Sequence, residues 1–235
     1  MKKPQLFLLH FAGGNCYSYQ FMIPFIDEFI VIPLELPGRG NRINESLKRD
    51  LNSAAEDICN QILKKLNGSH FMIYGHSLGA ILALKVTSML EGLNRYPSYL
   101  FASGDEGPSV NEEKKRYLLD DEGLIQELIK FGGISTEIIE SKEFLDYYLP
   151  ILRADFEIAG KITNSYSVIN TPIFSMMGDM EEDVGEISNW EKFTKSFFEY
   201  KIFKGGHFFI YDYPEEIVEI ISKSYHKSIL SYKNE

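Results

Sequence analysis

A serine flanked by glycines two residues away on either side, Gly75-His76-Ser77-Leu78-Gly79, carries the sharpest chemical possibility in this chain. A buried-looking strand, Phe71-Met72-Ile73-Tyr74, runs into it and an apolar helical pattern, beginning Ala80-Ile81-Leu82, follows it. A serine on so tight a strand-to-helix turn needs small neighbours, so that its hydroxyl stands clear at the helix N-terminus. The pentapeptide alone is moderately specific, since chance supplies one in roughly one chain in ten of this length. The bland reading is a glycine-rich turn with a helix-capping serine; the strand before and the helix after favour a nucleophile.

A serine hydroxyl attacks poorly until a base takes its proton, so a nucleophilic Ser77 requires a histidine late in the chain, after the last strands. Lys204-Gly205-Gly206-His207-Phe208-Phe209 supplies one, in a Gly-Gly turn that lets a loop approach closely. The other histidines fit less well. His10 ends the first apolar run, His70 begins the third, His76 sits inside the Ser77 turn and His226 falls in a C-terminal helical pattern.

The imidazole in turn needs a carboxylate on its far nitrogen, expected between Ser77 and His207 in the chain. The loop Gly178-Asp179-Met180-Glu181-Glu182-Asp183 offers four candidates, which chemistry alone does not separate. Two N–H donors must face the developing oxyanion. One is expected from Leu78, at the start of the helix after Ser77. The other is expected from Ala12, in the loop His10-Phe11-Ala12-Gly13-Gly14, whose glycines permit close approach. That loop lacks the Lys and the spacing of a phosphate loop. With no histidine pair at ligand spacing and no Cys-x-x-Cys, neither a metal nor an organic cofactor is expected.

These groups must be held by a scaffold, and the chain has the material for one. Its 235 residues suffice for a full core, and no Pro-, Ser- or Gly-rich stretch marks a boundary, so a single domain is expected over 1–235. Apolar runs at 6–9, 30–34, 71–74, 99–102, 173–177 and 198–203 alternate with helical patterns. That alternation predicts an α/β fold, a mostly parallel sheet with helices on both faces. Leu51, Ala54, Ala55, Ile58, Ile62 and Leu66 predict a helix with Ser53 and Glu56 as capping box and Asn67-Gly68 as its end. A last helix is expected from Pro214. Residues 107–167 carry helical patterns and no convincing strand, which predicts a helical insertion placed as a lid.

Composition narrows the setting. A net charge of −10 argues against nucleic acid or an anionic membrane as partner. The N-terminal apolar run is too short for a signal core or a membrane span, and two cysteines, Cys16 and Cys59, suit a reducing compartment. A cytoplasmic monomer is the expectation.

Together the motifs resemble the type II thioesterases of nonribosomal peptide and polyketide synthesis, members of the α/β-hydrolase superfamily. The resemblance runs nearly end to end: Phe11-Ala12-Gly13-Gly14, the stretch from Glu35 to Arg42, the Ser77 turn, Phe131-Gly132-Gly133, the stretch from Leu149 to Phe156, and Gly205-Gly206-His207-Phe208-Phe209. It implies hydrolysis of acyl or aminoacyl groups from the phosphopantetheine arm of an acyl or peptidyl carrier protein, through an acyl-Ser77 intermediate. The family's catalytic Asp falls here at Glu181, with Asp183 or Asp179 as alternatives and Asp105 as a remote one. Carrier domains are generally acidic, so docking would use apolar contact and local cations such as Arg153, Lys114, Lys115 or Arg116. Two other readings share the scaffold: a medium-chain acyl-carrier-protein or small-ester hydrolase, and a carrier-binding protein without catalysis.

Overall fold

Six apolar segments become strands: β1 (Gln5–Leu9), β2 (Ile30–Leu34), β3 (Phe71–His76), β4 (Leu100–Ser103), β5 (Ile173–Gly178) and β6 (Phe198–Phe203). In this computed structural model, which describes residues 2–68, 70–108, 115–132, 141–160 and 166–232, they form one sheet. Its order is β2-β1-β3-β4-β5-β6, with every neighbouring pair parallel. Parallel strands need covered crossovers, which explains why β1, β3 and β4 are buried throughout and read as continuous apolar runs.

The described residues add five α-helices: α1 (Leu51–Lys65), α2 (Leu78–Gly92), α3 (Asp121–Phe131), α4 (Lys142–Gly160) and α5 (Pro214–Tyr232). Side chains alternate across each strand, so Phe7, Leu9, Phe71 and Ile73 pack with α1 and α2. Leu6, Leu8, Met72 and Tyr74 pack on the other face with Ile217, Val218 and Ile221 of α5. The chain is thus an α/β-hydrolase fold with helices on both faces. Among the described residues, no helix is long and apolar enough to cross a membrane.

Two local expectations are corrected. The first turn of α1 is capped by Asp50, whose carboxylate accepts the Ser53 N–H at 2.9 Å, while the Ser53 hydroxyl turns back onto the same carboxylate. A charged acceptor outcompetes a neutral hydroxyl at a helix N-terminus, so the Ser53 and Glu56 box does not form. Nor do Asn67-Gly68 end the helix through a left-handed residue. Leu66, extended at φ −65° and ψ 121°, closes the last turn onto Ile62, and the Asn67 N–H passes to the Gln5 side chain at 2.8 Å.

Between β4 and β5 the described residues hold a 3-10 turn (Arg116–Leu118), α3 and α4, with no named strand. Their apolar sides meet in a separate cluster of Leu124, Leu128, Leu149, Leu152 and Phe156, against which Ala12 packs. Lys114, Gly133 and other parts of 107–167 lie outside the described residues.

Candidate active site

The chain leaves β1 for β2 on one side and returns to β3 on the other, so a crevice opens beyond the carboxyl ends of β1 and β3. Ser77 stands at that end of β3 with φ 55° and ψ −121°, a conformation that costs a non-glycine residue about 1–3 kcal/mol. Its N–H donates to the Ser103 carbonyl at 2.7 Å, tying the turn to the end of β4. The flanking glycines are steric necessities. A Cβ on Gly75 would lie 2.0 Å from the Gly79 carbonyl oxygen, and one on Gly79 would lie 2.3 Å from that of Leu9. Leu78 opens α2, where backbone N–H groups have no helical acceptor.

His207 arrives on the loop after β6, and its Nδ1 stands 2.7 Å from Glu181 Oε2. The other oxygen of Glu181 accepts the Gly178 N–H at 2.8 Å. Asp179 serves the loops instead, its N–H reaching the Phe203 carbonyl at 2.7 Å and its carboxylate accepting the Gly205 N–H at 2.8 Å. The loops after β5 and β6 are thereby laced together, closely enough that a Cβ on Gly178 would lie 2.4 Å from the Gly205 oxygen. Glu182 pairs with Lys130 of α3 at 2.8 Å. Asp183 precedes the 3-10 helix Val184–Phe193 and lines the cavity that Ser77 and His207 share. Asp105 turns its carboxylate to the Gly107 N–H at 2.8 Å while its carbonyl accepts from Trp190, so that it braces the loop after β4. The imidazole is flanked by the rings of His76 and Phe131, each 4.9 Å away between centroids. His76 is fully buried and its pKa lies well below the ordinary value, first through burial and then through the proximity of His207.

Ala12, Ser77, Leu78, Glu181 and His207 all line one cavity of about 350 Å³. In the loop after β1, the Gly13 N–H is taken by Asp155 Oδ2 at 2.7 Å and the Gly14 N–H by the Phe11 carbonyl at 2.9 Å. Neither of those two is therefore the better oxyanion donor, and Ala12 is left as the loop amide beside the cavity. Leu128, Phe131, Leu152 and Phe156 give the far wall an apolar surface suited to an acyl chain. A neutral acyl carbonyl above Ser77, a ring with one nitrogen held by a carboxylate, and two amides nearby are what acyl transfer requires.

Two of the suggested docking cations, Arg153 and Arg116, are engaged within the fold. Arg153 donates to the Tyr117 carbonyl at 2.8 Å, to the Leu119 carbonyl and to Asp121 at 2.7 Å, fastening the 3-10 turn to α4. Arg116 bonds Glu127 at 2.6 Å and lies 5.0 Å over the Phe131 ring. In the described part of the basic run, Lys115 is exposed. Arg39, Asp155 and His10, to which the sequence pattern assigns no catalytic role, are all buried beside the Ala12 loop. Their signal in the sequence is an odd one, charged or polar types inside segments otherwise rich in glycine or apolar residues.

A family profile described as "Thioesterase domain" matches residues 4–225. Gramicidin S biosynthesis protein GrsT of Aneurinibacillus migulanus is 32% identical over 94% of this chain and 88% of its own length. Linear gramicidin dehydrogenase LgrE of Brevibacillus parabrevis is 29% identical over 97% of this chain and 90% of its own. Among solved structures, ClbQ from the colibactin NRPS/PKS pathway shares 26% identity at a TM-score of 0.89, over 98% of this chain and 100% of that one.

Proposed function

The chain belongs to the thioesterase domain family, and on that premise we propose that it releases acyl or aminoacyl groups from the phosphopantetheine arm of carrier proteins in nonribosomal peptide or polyketide synthesis. One observation carries the reading: the strained Ser77 turn and the His207 and Glu181 pair open on a single cavity walled by apolar helices. The pathways named for GrsT and ClbQ support it. The redox activity in the name of LgrE is not carried over, since no Gly-x-Gly-x-x-Gly follows a strand here.

Glu181 holds the proton on His207 Nδ1, leaving Nε2 as the basic nitrogen. As the Ser77 oxygen attacks the thioester carbonyl, Nε2 takes the hydroxyl proton. The negative charge that forms on the carbonyl oxygen is met by the N–H groups of Ala12 and Leu78. Collapse of the tetrahedral species breaks the carbon–sulfur bond, and the pantetheine thiolate leaves with the proton from Nε2. A water molecule then gives a proton to Nε2 and attacks the acyl-Ser77 ester, and the free acid departs as Ser77 recovers its proton. The segment carrying α3 and α4 serves as the lid over the acyl chain. The enzyme works as a cytoplasmic monomer on a carrier partner, with neither nucleic acid nor membrane involved.

The test compares carriers loaded with acetyl or aminoacyl groups against the same groups on free coenzyme A. Much faster clearance from the carrier is expected; equal rates, or equal rates on small soluble esters, favour a general ester hydrolase. Fluorophosphonate labelling that is lost in Ser77→Ala is the second expectation, and wild-type protein that does not label returns the chain to the role of a carrier-binding protein.

A further inference from the structure

Three buried side chains that take no part in the steps above converge on the loop after β1: His10, Arg39 and Asp155. Building on the thioesterase reading and its oxyanion donors, we propose that His10 and Asp155 are positioning residues that aim the Ala12 N–H at the oxyanion, with α4 setting the aim.

The Ala12 N–H shares its peptide plane with the Phe11 carbonyl, and in a trans peptide the two point in opposite directions. Whatever holds the Phe11 oxygen therefore orients the Ala12 N–H. That oxygen accepts the Gly14 N–H at 2.9 Å and faces His10 Nδ1 at 2.8 Å. Facing a carbonyl, Nδ1 must carry the proton, and Nε2 is then the acceptor for the Leu36 N–H at 3.3 Å. The neutral ring of His10 thus bridges the oxyanion loop to the segment that follows β2.

The next peptide plane is held from the opposite side. Asp155 accepts the Gly13 N–H at 2.7 Å and grips Arg39 through two bonds, 2.5 and 2.8 Å long, with a third Arg39 contact to the Gly14 carbonyl at 3.4 Å. Asp155 is 0% and Arg39 2% exposed, so the fork is rigid and unscreened. Two turns earlier on α4, Tyr148 presses on the same loop: Gly13, at φ +75°, would place a Cβ 2.0 Å from its hydroxyl. Leu149 and Leu152 pack in the cluster that Ala12 joins. The loop is clamped between the end of β1 and one face of α4. Because a donor must lie within about 2.7–3.1 Å of the oxyanion, a shift of a few tenths of an ångström in this clamp changes the rate.

The test uses the full chain with a loaded carrier, and a boronic acid that becomes tetrahedral on Ser77. His10→Leu and Asp155→Asn are each expected to lower kcat roughly 10- to 100-fold while KM stays within about two-fold, and to weaken the boronic acid by the same factor as kcat. His10→Asn, whose amide nitrogen can donate to the Phe11 carbonyl, is expected to recover most of the loss. The outcome is read from whichever of the two variants folds, judged by its melting curve. Unchanged kcat in a folded variant overturns the proposal, as does a loss confined to KM or to stability, or a failure of Asn to recover activity. Wild-type protein that neither turns over nor binds the boronic acid sinks the thioesterase reading instead, which keeps the two failures apart.

Discussion

Glu181 and His207 are joined at 2.7 Å by one carboxylate oxygen while the other oxygen, 2.8 Å from the Gly178 N–H, anchors the same side chain to its own turn. The extra methylene of glutamate relative to aspartate is absorbed by this fold-back. The turn itself is closed by the Glu181 N–H on the Gly178 carbonyl at 3.2 Å. A longer acid with one oxygen pinned presents the other with little rotamer freedom lost on each turnover.

Glu181→Gln is accordingly expected to slow acyl-enzyme formation by roughly three to four orders of magnitude, because an amide cannot stabilise the imidazolium. Glu181→Asp should fall between, since a shorter side chain cannot span both partners. Asp183→Asn should stay near the wild-type value. Burst kinetics on a loaded carrier measure all three, and a collapse in Asp183→Asn with Glu181→Gln intact reverses the assignment.

Strain at Ser77 predicts an exchange between stability and activity. Ser77→Gly relieves the φ 55° conformation and should raise stability by about 1 kcal/mol over Ser77→Ala, with both variants inactive. Paired denaturant titrations check this; equal midpoints mean that the turn is not strained.

The scaffold was legible because short apolar runs set between helical patterns mark strands even at the sheet edges: the runs at 30–34 and 198–203 coincide to the residue with β2 and β6, which are only partly buried. Ser77 and His207 stood out because each sits in the local pattern of glycine that a nucleophile and its base would need. The acid did not, since Asp179, Glu181, Glu182 and Asp183 differ only in which way one short turn points each carboxylate. The clamp on the Ala12 loop was illegible for another reason. Arg39 and Asp155 are 116 residues apart, and an acid in an amphipathic helix reads as a solvent-facing residue until the fold buries it.

Acid should weaken the fold through its buried imidazoles. His10 is brought down to about 4 from 6.5, first by burial and then by Arg39, against the opposing pull of Asp155, the Phe11 carbonyl and Glu35; His76 moves the same way. Between pH 4 and 6.5 the unfolded chain binds more protons than the folded one, so this stability is complete above about 6.5 and declines as pH falls towards 4. For His10 the interval is worth about 3 kcal/mol. Guanidinium midpoints from pH 7 to 4 should fall steeply in wild type and less steeply in His10→Asn; parallel curves contradict it.

Gly79→Ala should cost more than about 3 kcal/mol, because its Cβ would lie 2.3 Å from a backbone oxygen of β1 that no rotamer can move. Gly92→Ala, with open space around it at the end of α2, should be neutral or slightly stabilising. Urea midpoints compare the pair, and a tolerated Gly79→Ala refutes the close approach of helix and strand.

The strand order has a consequence for how the protein comes into being. Ser77 and Ala12 follow the ends of neighbouring strands formed from the first third of the chain, whereas Glu181 and His207 wait on the loops after β5 and β6. A nascent chain paused on the ribosome before β6 holds Ser77 without His207, the base proposed for it. On the proposed mechanism, hydrolytic competence is expected to arrive in one late event, when the final strand and the loop beyond it dock, rather than gradually as translation proceeds.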